Sequence, residues 1–287
     1  MIYETAAEWR KADFRRLVFF GMSGVGKTHV STILRDSGAW FHYSVDYRIG
    51  TRYMGEHIVD NFKFEAMRNP FLADLLRSDS IYIASNITFG NLEPLSTYMG
   101  NPGKGGLSFA EYCRRQQLHR QAEIAALLDT RHFIGRAEQL YGYRHFVCDS
   151  GGSICEVVDP ENHDDKILKA LGETLLLVWI REPEGHSERL QKRFNEQPKP
   201  MYYRPDFLKD NWDKYLKDHD IRPEEVDPAD FARRVYQRAI AARQPRYAAM
   251  ARNWGVEVDA ADIAEVQSAD DVIEIIATSI ERRQKSS

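Results

Sequence analysis

The sequence is poor in cysteine, with three in 287 residues: Cys113, Cys148 and Cys155. They are too few and too unevenly spaced for a disulfide framework or a zinc site. No apolar run approaches the roughly 18–20 residues that a bilayer span needs. The first residues, Met1-Ile2-Tyr3-Glu4-Thr5, lack the basic-then-apolar order of a secretory signal. Neither sign of charge dominates: 39 Lys and Arg stand against 43 Asp and Glu, a net of −4 with histidines neutral. That balance excludes a generally basic nucleic-acid coat and a polybasic membrane binder. There is no internal repeat and no low-complexity tract. These absences leave a reduced, cytoplasmic enzyme as the expectation, and the length allows one large domain or two small ones.

What is present begins at Arg16-Leu17-Val18-Phe19-Phe20-Gly21, a short strand apolar on both faces. A glycine-rich turn follows, and then helical spacing from His29 to Arg35, ended by Gly38. Trp40 to Asp46 reads as a second strand ending in an acid, which completes a βαβ unit and predicts a parallel sheet. From Thr51 to Arg144 the composition is mainly helical, with helices over 56–67, 111–128 and 133–140 and a loop at 101–106. Ser80 to Ala84 fits either a strand or an apolar helical turn. Strands return at 145–149 and 174–180, and a charged helix follows over 187–194. The stretch 198–228 carries five prolines among aromatics and predicts a mobile or irregular connection with short helices. A helix over 230–242, a short strand at 256–258 and a closing helix over 269–283 complete the chain.

Gly21-Met22-Ser23-Gly24-Val25-Gly26-Lys27-Thr28 matches G-x-x-x-x-G-K-[ST] in full, between a buried strand and a helix. Glycines let consecutive backbone N–H groups turn inward around phosphate oxygens, and the helix adds its positive N-terminal dipole. Lys27 would bridge the β- and γ-phosphates of ATP, and the Thr28 hydroxyl would ligate Mg²⁺. A second acid is expected at the end of a neighbouring strand. Asp149, closing Phe146-Val147-Cys148-Asp149, fits as a metal ligand, direct or through water; its alternative is a turn or helix-capping acid. Glu156 is the weaker candidate for the same role, and Cys148 reads as a buried small apolar residue.

The loop with its extra glycine resembles that of shikimate kinases, gluconate kinases and related nucleoside-monophosphate-kinase-like proteins. Three further segments are similar to that group. Asp46 ends the second strand where those kinases place an acid facing the acceptor hydroxyl. Asp149-Ser150-Gly151-Gly152 stands where shikimate kinases carry a glycine run lining the acceptor. Arg243-Gln244-Pro245-Arg246-Tyr247 is similar to their Arg-x-Pro-x-Tyr helix before the last strand. The resemblance spans 16–50, 145–155, 174–200 and 243–274. It implies a P-loop NTPase fold, a three-layer α/β/α arrangement with a central parallel sheet, here with a large, mainly helical insertion. It departs at Lys199-Pro200, where shikimate kinases have Arg-Pro, and it leaves the middle of the chain unmatched, so shikimate itself does not carry over.

The resemblance implies an ATP-dependent kinase that uses Mg²⁺. Lys27 and the loop would hold the phosphates, with Asp46 as the base and Arg189 and Arg193 as cations closing over the transferred group. Arg48 and Arg52 would grip an anionic group of the acceptor, or form salt bridges with Asp46, or lie on a solvated turn. Arg243 is an acceptor-anion contact by resemblance and a surface arginine otherwise. Gly151 and Gly152 permit close approach to substrate or simply turn the chain, and Arg204 is a further candidate lid cation. The cations from Arg114 to Arg120 read as a solvated helix face rather than a nucleic-acid patch, since the net charge is acidic and aromatics are not interleaved. The expected organisation is one kinase-like domain over 1–287, interrupted by a helical acceptor-side insertion at 51–145 and a lid or irregular connection at 187–228. The rival reading is a P-loop ATPase or switch whose insertion binds a protein partner.

Overall fold

The computed structural model describes residues 1–286. At its centre five parallel strands are ordered β2-β3-β1-β4-β5. They are β1 (Arg16–Phe20), β2 (Trp40–Ser44), β3 (His145–Asp149), β4 (Leu176–Arg181) and β5 (Gly255–Asp259). Leu17 to Phe20 and Leu176 to Ile180 are buried without alternation, as strands covered by helices on both faces require. This is the α/β fold with a parallel sheet expected from the βαβ pattern. No helix among the described residues is long and apolar enough to cross a membrane.

Register fixes the geometry of the carboxyl edge. Phe19 pairs with Asp149 across β1 and β3, and Ser44 pairs with the same Asp149 across β2 and β3. The ends of β1 and β2 therefore meet at one acid, where the strand order of an open parallel sheet places ligands. At the far edge Gly255 lies so close to β4 that a Cβ there would sit 2.1 Å from the Leu177 carbonyl oxygen.

The chain falls into two compact units. The first holds 1–45, 124–197 and the residues from Arg233 onward, and so the whole sheet. Its N-terminal helix Ala6–Lys11, which the sequence reading passed over, is fixed by a Thr5–Glu8 capping box. Buried Trp9 donates from Nε1 to the Ile273 carbonyl at 2.8 Å and ties that helix to Ala269–Ser286. Of the segment 51–145 read as one insertion, 124–145 groups with the sheet, including the whole helix Thr130–Tyr141.

The second unit joins 46–123 to 198–232. The proline-rich stretch is more regular than expected. It forms a fifteen-residue helix, Pro205–His219, because Pro205 occupies the first helical turn, where a missing N–H costs nothing. Phe109 stacks on Trp212 at 4.3 Å between centroids, and Trp212 meets Phe231 edge-on at 5.0 Å. The Gln116 carboxamide clamps the backbone of the same stretch, donating to the Met201 carbonyl and accepting from the Tyr203 N–H, each at 2.9 Å. Ser80 to Ala84 is neither strand nor helix. The cations of the helix Phe109–Leu128 are engaged locally, Arg114 and Arg115 both pairing with Glu111 at 2.7 and 2.8 Å. Arg114 is exposed, whereas Arg115 is mostly buried and also donates to Asn61 Oδ1 at 2.9 Å.

His145, first in β3, accepts at Nδ1 from the Arg15 N–H at 3.0 Å and lies against Trp40 at 4.7 Å. Burial, helped by the nearby Arg15 and Arg144 charges, lowers its pKa from 6.5 to about 4. The unfolded chain then binds the proton more readily, so this contribution to stability is complete above pH 6.5 and is lost as pH falls toward about 4. Urea midpoints of the wild type should fall across that window. In His145→Asn, whose side-chain oxygen still accepts from Arg15, the fall should be shallower; parallel curves would exclude His145 as a source.

Candidate active site

The loop after β1 is shaped by its glycines. Gly21, Gly24 and Gly26 all have positive φ, at 139°, 77° and 101°. Gly21 is the most constrained, because a Cβ there would lie 2.6 Å from the Ile180 carbonyl oxygen of β4. Gly26 caps the helix Lys27–Asp36 without any side chain bonding to its first turn. The leading amides of that helix are thus left for a ligand, the arrangement that binds phosphate. Lys27, 8% exposed, donates from Nζ to the carbonyls of Gly21 and Met22 at 3.0 and 2.9 Å, which curls the loop around its ammonium.

Thr28 donates from Oγ1 to Asp149 Oδ2 at 2.7 Å. Two oxygen ligands expected from separate motifs, 121 residues apart, thus meet at the end of β3. A hydroxyl and a carboxylate are the hard oxygen donors that Mg²⁺ prefers, so the residues present fit that ion. His42 of β2 lies behind them, with Nε2 4.0 Å from Asp149 Oδ2. Its burial holds the imidazole below its ordinary pKa against the pull of Asp149.

Beside the loop is a cavity of about 670 Å³, lined by Gly24, Val25 and Gly26, by Arg189 and Arg193 of the helix His186–Glu196, and by Ala260 and Ile263 after β5. Its volume suits a nucleotide-sized ligand. Both arginines named from the sequence therefore face the phosphate loop's own cavity. The sequence reading missed His186, which starts that helix. Its Nε2 is 2.9 Å from the Ser23 carbonyl, and its ring lies where a Cβ on Gly24 would touch it at 3.4 Å. A lone histidine after Gly185 carried no spacing signal that could have revealed this.

The other named residues are placed differently. Glu156 does not reach toward a metal; it pairs with Arg243 at 2.8 Å, with the side chains 5% and 3% exposed. Arg243 is thus no surface arginine. Burial, the largest effect, works against its charge, but Glu156, Tyr247 and Cys155 together outweigh it and raise the guanidinium's pKa. The neighbouring Arg246 donates to the carbonyls of Cys155 and Val158 at 2.7 and 2.6 Å, and the Tyr247 hydroxyl donates to the Gly152 carbonyl. The Arg-x-Pro-x-Tyr stretch of the helix Pro228–Trp254 therefore binds the chain that follows Asp149. Gly151 and Gly152 lie in that chain, and the Cβ position of Gly152 is 3.7 Å from Gly21 O and Ser23 N, facing the phosphate loop. Cys155, whose thiol burial pushes up to about 12, and Cys148 are both buried and free of disulfides.

Asp46 and Arg48 belong to the second unit, on the short helix Val45–Arg48, and Arg52 follows on the π-helical turn Ile49–Tyr53. Arg48 is half-buried with its guanidinium 5.5 Å from the Tyr53 ring, and Arg52 is exposed. Lys199 pairs with Glu93 at 2.9 Å within the same unit, and Arg204 precedes the helix Pro205–His219.

Strand order, the glycine-rich loop after β1 and the Thr28–Asp149 pair define an α/β protein with a candidate phosphate-binding loop. Neither a protein-family model nor a curated protein sequence matches the chain. Among solved structures, a shikimate kinase from Bacteroides thetaiotaomicron is similar at 16% identity, over 95% of this chain and 97% of that one, with a TM-score of 0.37.

Removing one partner of a buried ion pair leaves an uncompensated charge, at a cost of about 3–5 kcal/mol. Glu156→Gln should lower unfolding stability by roughly that amount. Replacing both partners, Arg243→Met with Glu156→Leu, should recover most of it. A Glu156→Gln protein as stable as the wild type in urea would show that the pair does not hold the loop.

Proposed function

We propose that the chain is a kinase that transfers the γ-phosphoryl group of ATP to a hydroxyl of a small, anionic metabolite. The observation that carries this reading is the convergence of Lys27, inside its loop, with the Thr28–Asp149 pair at 2.7 Å. Loop amides and Lys27 would bind the phosphates, while the adjoining cavity with Arg189 and Arg193 would take the rest of the nucleotide. Thr28 and Asp149 would hold Mg²⁺, which neutralises charge on the β- and γ-oxygens.

Phosphoryl transfer asks little covalent chemistry of a protein; positioning and charge neutralisation do most of the work. Arg189 and Arg193 supply fixed positive charge on the side of the loop facing the cavity. Asp46 is proposed as the base. A carboxylate within hydrogen-bond reach of the acceptor takes its hydroxyl proton as the new O–P bond forms. The bond from phosphorus to the bridging oxygen breaks, and ADP leaves. Arg48 and Arg52, on the same helical run as Asp46, are proposed to hold the anionic group of the acceptor by guanidinium hydrogen bonds.

ATP turnover measured against a metabolite pool tests the reading. Turnover should be slow alone and rise with one acceptor, giving a phosphorylated product. Hydrolysis that no small molecule accelerates but a protein partner does would replace the kinase with an ATPase. Lys27→Ala should abolish turnover under either reading.

Asp46→Asn separates the steps. Transfer should drop by about 10²-fold or more, the usual worth of a general base, with nucleotide affinity retained. Undiminished transfer would remove Asp46 from the mechanism.

A further inference from the structure

A trans peptide unit turns its C=O and its N–H to opposite sides. In the loop after β1, the unit joining Ser23 to Gly24 has its carbonyl 2.9 Å from Nε2 of His186. The partner is a carbonyl, so Nε2 carries the proton and donates it. The Gly24 N–H, at the other end of the same plane, therefore points away from His186. Among the described residues no backbone carbonyl accepts from it.

Little else fixes that plane. Ser23 and Gly24 are both exposed, so packing does not hold them. Gly24 stands at φ 77°, and a glycine takes positive and negative φ about equally readily. A half-turn of the plane would put the Ser23 carbonyl oxygen where the amide now stands, and a phosphate would meet an acceptor in place of a donor. His186, by contrast, is fixed. It is 9% exposed, it opens the helix His186–Glu196, and its ring lies 3.4 Å from the Cβ position of Gly24.

We propose that His186 is a positioning residue of the phosphate loop: by holding the Ser23 carbonyl, it selects the orientation in which the Gly24 N–H faces the phosphates of the nucleotide. This role rests on the nucleotide site proposed above. With the bond in place the loop is organised before a ligand arrives. Without it both orientations of the plane are populated, and the apparent affinity falls in proportion to the fraction still competent. Arg189 and Arg193 follow on the same helix and line the same cavity, so the bond also ties the loop to those cations.

Calorimetric titration with ADP tests the role. His186→Phe keeps a ring against Gly24 and removes the donor, so ADP affinity should fall about tenfold. The urea midpoint of the unliganded variant should stay near that of the wild type. His186→Gln, whose Nε2 reaches the place of the imidazole Nε2, should bind within about threefold of the wild type. His186→Asn, one methylene shorter, should be as weak as the Phe variant, and it replaces that variant should Phe prevent folding. A wild type that binds no ADP overturns the nucleotide site and this role with it. A wild type that binds ADP no better than His186→Phe or His186→Asn overturns the role of His186 alone. So does a His186→Gln protein as weak as those two, because the N–H would then not be the group that matters.

Discussion

The sharp exit of the chain from β1 is the constraint on which the rest of the site depends. For backbone amides to point at one ligand, the chain must leave the strand in the left-handed region, which three glycines allow. The exit must also press against a fixed neighbour, and at Gly21 that neighbour is the Ile180 carbonyl of β4. Because β1 lies between β3 and β4, one flank supplies Asp149 and the other leads to the helix bearing His186, Arg189 and Arg193. Acid on one side and cations on the other are thus consequences of strand order. The same order lets His186 brace the loop from outside, at Ser23, while Lys27 curls it from within.

The chain after Asp149 meets a second constraint. It must stay near the phosphate loop, since the Gly152 Cβ position lies within 4 Å of Gly21 O and Ser23 N, yet it forms only the four-residue helix Ile154–Val157. Its carbonyls therefore find partners from elsewhere. Arg246 and Tyr247 satisfy those of Cys155, Val158 and Gly152, and Arg243 neutralises the buried Glu156. Pro245 sits inside the helix that carries them and has no N–H to bond to the preceding turn. Packing against the sheet unit holds the helix through that defect, since Tyr247 and Met250 are fully buried.

The parts legible in the sequence were those with a short-range signature. The motif from Gly21 to Thr28 implies a strand before it and a helix after it, and its apolar flanks supply both. Asp149 was legible because an apolar run ended in an acid. Arg189 and Arg193 were legible because four residues is one helical turn. What remained hidden depends on contacts between distant segments. The Arg243–Glu156 pair joins residues 87 apart, and neither side chain shows its burial in local composition. The regular helix Pro205–His219 was masked by proline, which favours the first turn of a helix as readily as it breaks the middle. Ser80 to Ala84 fitted two readings because a short apolar run has too few residues to separate period 2 from period 3.6, and the chain there is neither strand nor helix.

The buried ion pair bears on which arginine could hold the proposed anionic acceptor. A guanidinium at 3% exposure that already donates to a carboxylate at 5% exposure has no solvent to lose and a counter-ion to keep. Turning it toward substrate would leave Glu156 charged and alone, at a cost of several kcal/mol that one new ion pair would only restore. Arg243 therefore gains nothing by changing partners. Arg52 is exposed and loses far less solvent on meeting a new anion. Desolvation therefore favours the helical run that carries Asp46 over the C-terminal helix for the proposed acceptor-anion contact. There the proposed base and the proposed cations lie within seven residues of one another, so the fold of one short segment sets the distance between an acceptor's hydroxyl and its negative charge.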